Sequence, residues 1–409
     1  MKKITPKLLL LAMFLIATLF FSNDFGLIDI EKTAIVTAVA IDLAEDGEYQ
    51  VTCQIAVPEA SNALSENQKA QITAKGNTVG NAIKSLGSVS GWFPQTIFCN
   101  LIIVGGDLSS SNVLTVLDYF SKTMRVQDSA QVVLAQDKAK DLLNATTPLD
   151  NVSSFAIQKI LLKNPGFDQD VAPVDIKTFC VGYYSSSASS YMPIVKVLNA
   201  QDNSVAQGSS SSGQDSQSGG SGSGSSSGGS SSEKGSKTEG QKVFDATTTA
   251  LFVGGKKVGE LGKSLTHTFN MLTKKINGSA FAVDDVDGKN YLLTVLNDTN
   301  KLTVKATENA LNVCASVKLY CKISDQNTVL QDSTFEKNNP LPDKVKKRTE
   351  QMISDNIREL FETAKQTGCD FLGIKEKLYR FNYKQYSRYK DNYLSMVELK
   401  PQVTIIGQH

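Results

Sequence analysis

Alternating and helical hydrophobic patterns occur along the whole chain and predict that strands and helices are mixed throughout it. Residues 34–41 form an almost continuous apolar run, which is typical of a strand buried on both faces. Residues 49–57 alternate between apolar and polar side chains and predict a second strand, paired with the first as a hairpin. Residues 343–367 place apolar side chains on one helical face and end at Gly368, which is well suited to terminate a helix. These patterns predict an α+β fold in which mixed sheets pack against helices.

The same patterns predict further elements in both halves of the chain. The first half is predicted to add helices near 77–86, 113–124 (capped by serines 109–111), 138–143 and 153–162, and strands near 97–104 and 131–135. The second half is predicted to contain a hairpin at 246–261 with a Gly254-Gly255 turn, a helix at 263–272, strands near 279–284, 290–296, 301–306 and 310–324, a tyrosine-rich helix at 384–393 and a closing strand at 397–405. Strands and helices do not alternate regularly, and no G-x-G-x-x-G follows a strand, so a nucleotide-binding doubly wound sheet is disfavoured. Pro401 predicts that the closing strand lies at a sheet edge or at a bulge.

A serine- and glycine-rich stretch divides the chain into two halves. In residues 208–232 only Gln214, Asp215 and Gln217 are neither Ser nor Gly. Such a composition buries too little apolar surface to offset its ordering entropy, so residues 201–242 are predicted to be a flexible linker with a mean span of roughly 35 Å. The predicted domains are 25–200, which holds one or two α+β domains, and 243–409. The G-x-S-x-G match at 224–228 lies inside this stretch, without the flanking strand and helix that a nucleophile elbow needs.

The amino terminus has the pattern of an export signal or a membrane anchor, predicted over residues 1–24. Lys2, Lys3 and Lys7 precede the apolar run 8–21, in which Thr18 is the sole polar residue. As a helix this run covers about 21 Å, which is less than a hydrocarbon core of roughly 30 Å. Two outcomes remain open: the segment is retained as a short anchor, or it is cleaved near Ser22. Either outcome places the rest of the chain outside the cytoplasm.

Charge and histidine content argue against two large functional classes. The 42 Lys and Arg residues balance 41 Asp and Glu residues, whereas a nucleic-acid-binding protein needs a basic excess. His267 and His409 are the only histidines, so a histidine-based triad or a multi-histidine zinc site is disfavoured. The sequence therefore predicts a protein that is not an enzyme, with no catalytic residue, no metal site and no cofactor. Its ligand-binding residues are not assigned by the sequence.

The six cysteines are predicted to be free structural thiols. Cys53 lies at an inward-facing position of an alternating strand, and Cys321 lies on the apolar face of another. Cys314 is seven residues before Cys321 and faces the opposite side, so one strand cannot join the two. No Cys-x-x-Cys pair is present in the sequence.

Two charged motifs each allow a functional and a structural interpretation. Residues 284–288 resemble part of a calcium loop, but no Glu follows at the required distance, and a hairpin turn explains them better. Five tyrosines interleave with basic residues near the carboxyl terminus: Tyr379, Tyr383, Tyr386, Tyr389 and Tyr393. They form either a basic and aromatic surface for lipid headgroups or a protein partner, or half-buried tyrosines with solvated charged neighbours.

Several segments, in order along both halves, resemble one known family. The matching stretches are 30–42, 49–52, 55–58, 101–105, 116–120, 250–252, 258–261, 368–374, the tyrosine segment and the closing strand to Gly407. Together they resemble the Ger(x)C family, the C subunits of spore germinant receptors. The resemblance implies a non-enzymatic extracytoplasmic subunit of three mixed α+β domains. It also implies two partners in the spore inner membrane, a multi-pass A subunit and an amino-acid-permease-like B subunit.

The chain departs from the family in its lipid anchor, because members usually carry a lipidated cysteine just after the apolar run. The first cysteine here is Cys53, inside a predicted strand, so the uncleaved segment 8–21 is the natural replacement tether. The predicted function is that of a membrane-tethered subunit on the outer face of the inner spore membrane that docks on A- and B-type subunits. The alternative is an extracytoplasmic solute-binding protein or a cell-wall adhesin. A hydrolase using Ser-Lys or paired carboxylates is a third, weaker alternative.

Overall fold

The computed structural model describes ten segments of the chain together with Thr147 and Asp150. These segments are 6–21, 33–56, 70–123, 126–145, 152–162, 170–199, 242–286, 288–308, 310–327 and 341–408. The helices are α1 Pro6–Phe21, α2 Val79–Ser90, α3 Leu114–Thr123, α4 Ala139–Asn144, α5 Ser153–Leu161, α6 Ile176–Tyr183, α7 Lys263–Thr273, α8 Asp343–Thr367, α9 Ile374–Phe381 and α10 Tyr383–Tyr389. The strands are β1 Thr33–Leu43, β2 Tyr49–Ile55, β3 Gln71–Gly76, β4 Phe93–Gln95, β5 Leu101–Val104, β6 Gln131–Ala135, β7 Ser189–Asn199, β8 Lys242–Val253, β9 Lys256–Leu261, β10 Ala280–Val286, β11 Lys289–Ala306, β12 Leu311–Asn327 and β13 Val397–Gly407. Two 3₁₀ turns lie at Thr96–Phe98 and Gly106–Ser110.

The first sheet has the order β3-β2-β1-β5-β6-β7-β8-β9, and β4 pairs with the start of β1. Strand β1 is buried on both faces, as its apolar run predicts. Val39 and Ile41 pack against α2, α3 and α6, whereas Ala38 and Ala40 pack against α4 and α5 on the opposite face. The mixed helix and sheet class predicted from the sequence is confirmed, with helices covering both faces of this sheet.

The centre of the first sheet is more regular than the sequence indicates. Strands β1, β5, β6 and β7 run parallel, with α3 connecting β5 to β6 and α4, α5 and α6 connecting β6 to β7. The pattern is hard to see in the sequence because β5 has only four residues and its predicted first half forms the 3₁₀ turn instead. The predicted serine cap of α3 is also wrong, since the side chain of Asn112 accepts the N–H of Leu114 at 3.0 Å. Residue 124 of that helix prediction lies outside the described residues.

The strands on either side of the Ser/Gly-rich stretch are neighbours in the first sheet. Strand β7 pairs antiparallel with β8, and the last pair joins Asn199 to Lys242. The hairpin β8–β9 then extends the same sheet, with its Gly254-Gly255 turn at positive φ as predicted. The predicted boundary at residue 243 therefore does not separate the sheets, because the chain leaves the first sheet near Gly262. Residues 200–241 connect two paired strands of one sheet. The predicted linker and domain bounds stay a prediction.

The second sheet has the order β10-β11-β12-β13, in which β12 and β13 run parallel and the other neighbours are antiparallel. The strands predicted at 290–296 and 301–306 form one strand, β11, with a register shift between Val295 and Asn297. Strand β13 lies at the sheet edge, as Pro401 predicts. Helix α8 has the predicted bounds and ends at Gly368 with φ of 68°, and its apolar stripe is buried in the core of the second half.

The two halves share one core. Leu251 and Leu261 of the first sheet belong to the same buried cluster as the apolar stripe of α8. The Cys369 thiol donates to the carbonyl of Phe252 at 3.3 Å, and the N–H of Asp370 donates to Ser189 Oγ at 2.9 Å. The segment after α8 is therefore fixed directly to the strands β7 and β8 of the first sheet.

All six cysteines are described, and none is joined to another. Cys53, Cys99, Cys321 and Cys369 are buried, whereas Cys180 and Cys314 are partly exposed. Burial raises the pKa of the Cys99, Cys321 and Cys369 thiols to about 12 and raises that of Cys53 further. These four thiols act as small apolar groups, and Cys53 and Cys321 face inward as predicted.

Candidate docking surface

The residues that most resemble catalytic groups form a structural pair. His267 Nδ1 lies 2.9 Å from Asp170 Oδ1, and Lys263 Nζ lies 3.1 Å from the other carboxylate oxygen. Burial favours the neutral form of Asp170, but His267 and Lys263 outweigh this effect and hold its pKa below the ordinary value. Among the described residues, His267 Nε2 has no hydrogen-bond partner, so the pair has no nucleophile in the position that a triad requires.

The other chemical motifs of the sequence fall into turns or outside the described residues. Residues 284–286 and Gly288 lie at the β10–β11 hairpin, which agrees with the interpretation as a turn, and Asp287 lies outside the described residues. Within the described ranges, no group of three or more His, Cys, Asp or Glu side chains is arranged to hold a metal ion. The G-x-S-x-G match at 224–228 and His409 lie outside the described residues.

An exposed aromatic and basic surface is formed by helices α9 and α10. We call Tyr379, Phe381, Tyr383 and Tyr386, with their neighbours Arg380, Lys384 and Arg388, the tyrosine surface. Phe381 is 77% exposed and Tyr383 is 68% exposed, and both lie on the second half of the molecule. The ring of Tyr379 contacts the rings of Tyr383 and Tyr386 edge to face, at centroid distances of 5.5 and 5.1 Å. These mutual contacts fix the orientation of the aromatic side chains before any partner binds.

The start of α9 is fixed by a buried carboxylate. Asp370 accepts the N–H groups of Ile374 and Lys375, one at each oxygen and both at 2.8 Å. Two otherwise unpaired donors at the amino end of α9 are thereby satisfied. Gly373 immediately before the helix has φ of 68°, a conformation that favours glycine. Ile374 and Leu378 are buried, so the opposite side of α9 carries the exposed tyrosine surface.

The break between α9 and α10 is fixed by Asn382. Its side-chain amide donates to the carbonyl of Val304 at 2.9 Å, and its side-chain oxygen accepts the N–H of Ala306 at 3.1 Å. The hydroxyl of the buried Tyr389 donates to the carbonyl of Thr307 at 2.8 Å. The tyrosine surface is therefore held to the β11–β12 hairpin by three hydrogen bonds.

Electrostatics differ between the base of this surface and its exposed face. At the base, burial raises the pKa of Asp370 to about 6, although hydrogen bonds from Lys375, Ile374 and Tyr393 partly oppose the shift. On the exposed face, Arg380 pairs with Glu376 at 2.7 Å. Within the part of the chain that the structure describes, Lys384 and Arg388 form no ion pair. The face therefore presents tyrosine rings and positive charge, the composition of energetically important residues in protein interfaces.

The tyrosine segment contains both buried and exposed side chains, and the interpretation of the exposed ones as a contact surface for lipid headgroups or a protein partner stays a prediction. Tyr389 and Tyr393 are buried, whereas Tyr379 and Tyr383 are exposed. The predicted helix at 384–393 is shifted, because α10 covers Tyr383–Tyr389 and turns follow it. Sequence reasoning missed Asn382, and an asparagine between Phe381 and Tyr383, a residue type that favours helix ends, was the available signal.

A small polar cavity lies at the carboxyl ends of the parallel strands β5 and β6. Its volume is about 230 Å³, and its polar lining includes Gln136, Lys196, Lys257 and Glu260. Lys196 pairs with Asp245, and Lys257 pairs with Glu260, so both lysines are already neutralised. This cavity is smaller than typical ligand pockets of roughly 300 Å³ or more. It gives little support to the alternative of a solute-binding protein.

The two sheets and their helices form a mixed α/β fold. Its exposed tyrosine surface has the composition of surfaces that contact other macromolecules. Two family models match the chain, one described as the spore germination protein N-terminal domain, over residues 27–197, and one as spore germination B3/GerAC-like, C-terminal, over residues 247–407. The solved structure titled "Crystal Structure of the GerBC protein" is similar with a TM-score of 0.51 and 14% identity, covering 91% of this chain and 97% of that one. No curated protein matches the chain.

The chain belongs to this GerAC-like family of spore germination proteins, the C subunits of germinant receptors. The resemblance predicted from the sequence is confirmed, and so is the prediction that the protein is a receptor subunit and not an enzyme. The similarity to the GerBC structure supports the mixed multi-domain fold. The two family matches are separated by residues 198–246, which include the Ser/Gly-rich stretch.

Proposed function

We propose that the protein is the membrane-tethered C subunit of a nutrient germinant receptor. In this proposal it lies on the outer face of the inner spore membrane and docks on an A-type subunit and a permease-like B-type subunit. The observation that carries the proposal is the pair of family matches, one on each side of the Ser/Gly-rich stretch. Docking contributes to signalling if the interface differs in stability between the resting and activated receptor.

Helix α1 supports the tether. Its described side chains from Leu10 to Ile16 are exposed, with Phe14 71% exposed, so this apolar segment does not pack into the body as a core helix would. No helix among the described residues has both the length and the apolar character expected of a membrane span. The 16 residues of α1 reach about 24 Å, so a retained α1 would anchor the chain with its Lys-rich start at the cytoplasmic side.

The tyrosine surface is the docking site that we propose for the membrane subunits. Tyrosine and arginine carry much of the binding energy in protein interfaces, and the rings here are already ordered by their mutual contacts. Lys384 and Arg388 would attract an acidic segment of the partner and increase the rate of association. The proposal therefore predicts a partner surface that is acidic and apolar where it meets α9 and α10.

The experiment is affinity purification of the tagged full chain from solubilised spore membranes. The double substitution Tyr379→Ala and Tyr383→Ala should cost about 2 kcal/mol or more, a loss of roughly thirtyfold in affinity, and should deplete the A- and B-type subunits from the eluate. Tyr184→Ala is the matched control, because Tyr184 is equally exposed but lies at the end of α6. If the unmodified chain recovers neither membrane subunit, the proposed function is wrong. If both variants recover them equally, the tyrosine surface is not the docking site.

A further inference from the structure

A second exposed apolar surface lies at the end of the first sheet where β1 begins. It consists of six side chains that we call the aromatic rim: Ile35, Val89, Trp92, Phe93, Ile97 and Phe98. Val89 is 72% exposed, Phe98 is 55% exposed and Trp92 is 48% exposed. Clusters of large exposed apolar side chains often mark contact sites on soluble proteins, so the rim is a candidate contact surface.

The rim is held in place by the end of α2 and by β4. Gly91 terminates α2 with φ of 72°, and its N–H donates to the carbonyl of Gly87 at 3.0 Å. The hydroxyl of Ser90 accepts the N–H of Trp92 at 3.1 Å and donates to the carbonyl of Leu86 at 2.7 Å. Strand β4 then pairs parallel with the first three residues of β1. The aromatic side chains are therefore displayed by ordered backbone and not by a loose loop.

The rim is close to the proposed tether along the chain. Helix α1 ends at Phe21 and β1 begins at Thr33, so the start of β1 lies at most about 40 Å of extended chain from the end of α1. Phe93 is the strand partner of Thr33, and paired strands are about 5 Å apart. A membrane that holds α1 is therefore within reach of the rim.

The charge around the rim suits a lipid surface. From residue 76 to residue 106 the sequence has one lysine, Lys84, and no acidic residue. An open groove of about 490 Å³ adjoins the rim between α2 and β4, lined by apolar groups that include Ile83, Phe93 and Pro94. Lys84 is the charged side chain of this lining, and it is exposed. An apolar groove with one cation at its border fits the phosphate and upper acyl chain of an anionic phospholipid.

We infer that the aromatic rim rests in the headgroup region of the membrane that carries α1, with anionic phospholipid in the adjoining groove. Tryptophan favours this region because its ring is apolar with a polar N–H edge, and the neighbouring phenylalanine and aliphatic side chains bury apolar surface there. The inference rests on the proposed tether and adds a second contact with the same membrane. Two weak contacts on one surface would fix the orientation of the body, which a single contact cannot do.

Trp92 is the only tryptophan of the chain, so intrinsic fluorescence reports directly on the rim. The full chain is reconstituted into vesicles of equal parts phosphatidylcholine and phosphatidylglycerol, and sedimentation with the vesicles is measured alongside Trp92 emission. We expect the emission to shift to shorter wavelength. We also expect a spin label at the headgroup to quench it more strongly than a label at the end of the acyl chain.

Two variants separate the tether from the rim. Ile97→Ser with Phe98→Ser keeps Trp92 as the reporter and should reduce quenching while the chain still sediments with vesicles. Val181→Ser with Tyr184→Ser changes two side chains on and beside α6 that are at least as exposed, and should leave quenching unchanged. If the chain sediments but Trp92 is not quenched, the rim is occupied by protein or by another segment of this chain, and the inference is wrong. If the chain does not sediment at all, the tether itself is wrong, and the inference fails with it.

Discussion

Replacing residues 200–241 with a four-residue turn should leave the fold intact and stabilise it. Strands β7 and β8 pair up to Asn199 and Lys242, so the ends of the removed segment are neighbours in one sheet. Hairpin loops of four residues are common, and a glycine in the new loop would supply the positive φ that such turns need. The four-residue turn should therefore join β7 to β8 without any rearrangement of the sheet.

The expected gain comes from loop-closure entropy. Each doubling of loop length costs about 0.6 kcal/mol, and going from roughly 40 residues to four removes a little more than three doublings. The free energy of unfolding should therefore rise by about 2 kcal/mol. For a chain of this size, a gain of that magnitude raises the melting temperature by roughly 2–4 °C.

Thermal unfolding of the full chain in detergent, followed by circular dichroism, measures this change. A variant that scrambles residues 200–241 at constant length and composition is the control, and its melting temperature should not change. A connection between two separated bodies would give the opposite result, because four residues reach only about 14 Å against a mean span of roughly 35 Å for the natural segment. A shortened chain that aggregates or loses its secondary structure would refute the hairpin connection.

Three further predictions follow from buried groups. The pKa of Asp370 is about 6 in the folded protein against an ordinary 3.8, so folding takes up a proton between these values. The free energy of unfolding should therefore fall by about 2 kcal/mol as pH rises from 4 to 6, and Asp370→Asn should remove that fall in urea titrations. Parallel pH profiles of the two proteins would contradict the assignment. Ile357→Ala should lower the free energy of unfolding by about 2–5 kcal/mol because Ile357 is fully buried in α8. Glu359 is exposed on the same helix, so Glu359→Ala should change the free energy of unfolding by less than about 0.5 kcal/mol. Equal effects of the two substitutions in urea unfolding would show that the apolar stripe of α8 is not part of the core. Alkylation of the native chain, followed by mass spectrometry, should modify the partly exposed Cys180 and Cys314 faster than the four buried thiols. Rapid modification of all six cysteines would contradict the burial of those four.

Local patterns in this sequence predict local structure well. Helix α8 has an apolar stripe, a proline before it and Gly368 after it, and its predicted bounds agree with the structure. Strand β1 and the Gly254-Gly255 hairpin are equally well defined, because buried runs and paired glycines each permit few conformations. The family could also be predicted, since its motifs are spread in order across both halves.

Long-range pairing was beyond the reach of such patterns. Nothing in the periodicity of β8 shows that its partner lies on the far side of a stretch of roughly 40 residues, because strand alternation is the same for any partner. The exposure of each tyrosine was similarly hidden, since the break at Asn382 changes the helical phase between Tyr379 and Tyr383. The aromatic rim was missed because Ile97 and Phe98, which look like the start of a strand, lie in a 3₁₀ turn.

In the proposed function, the shared core of the two halves limits how the subunit could transmit a signal. Leu251 and Leu261 are buried together with α8, and the segment after α8 is hydrogen-bonded to β7 and β8, so a hinge between the sheets would break apolar packing and buried hydrogen bonds at once. A rigid body of this kind tilts or shifts as one piece. A small rotation of the subunit at its contact with one neighbour would then displace its opposite end, and any protein or lipid bound there would be displaced with it.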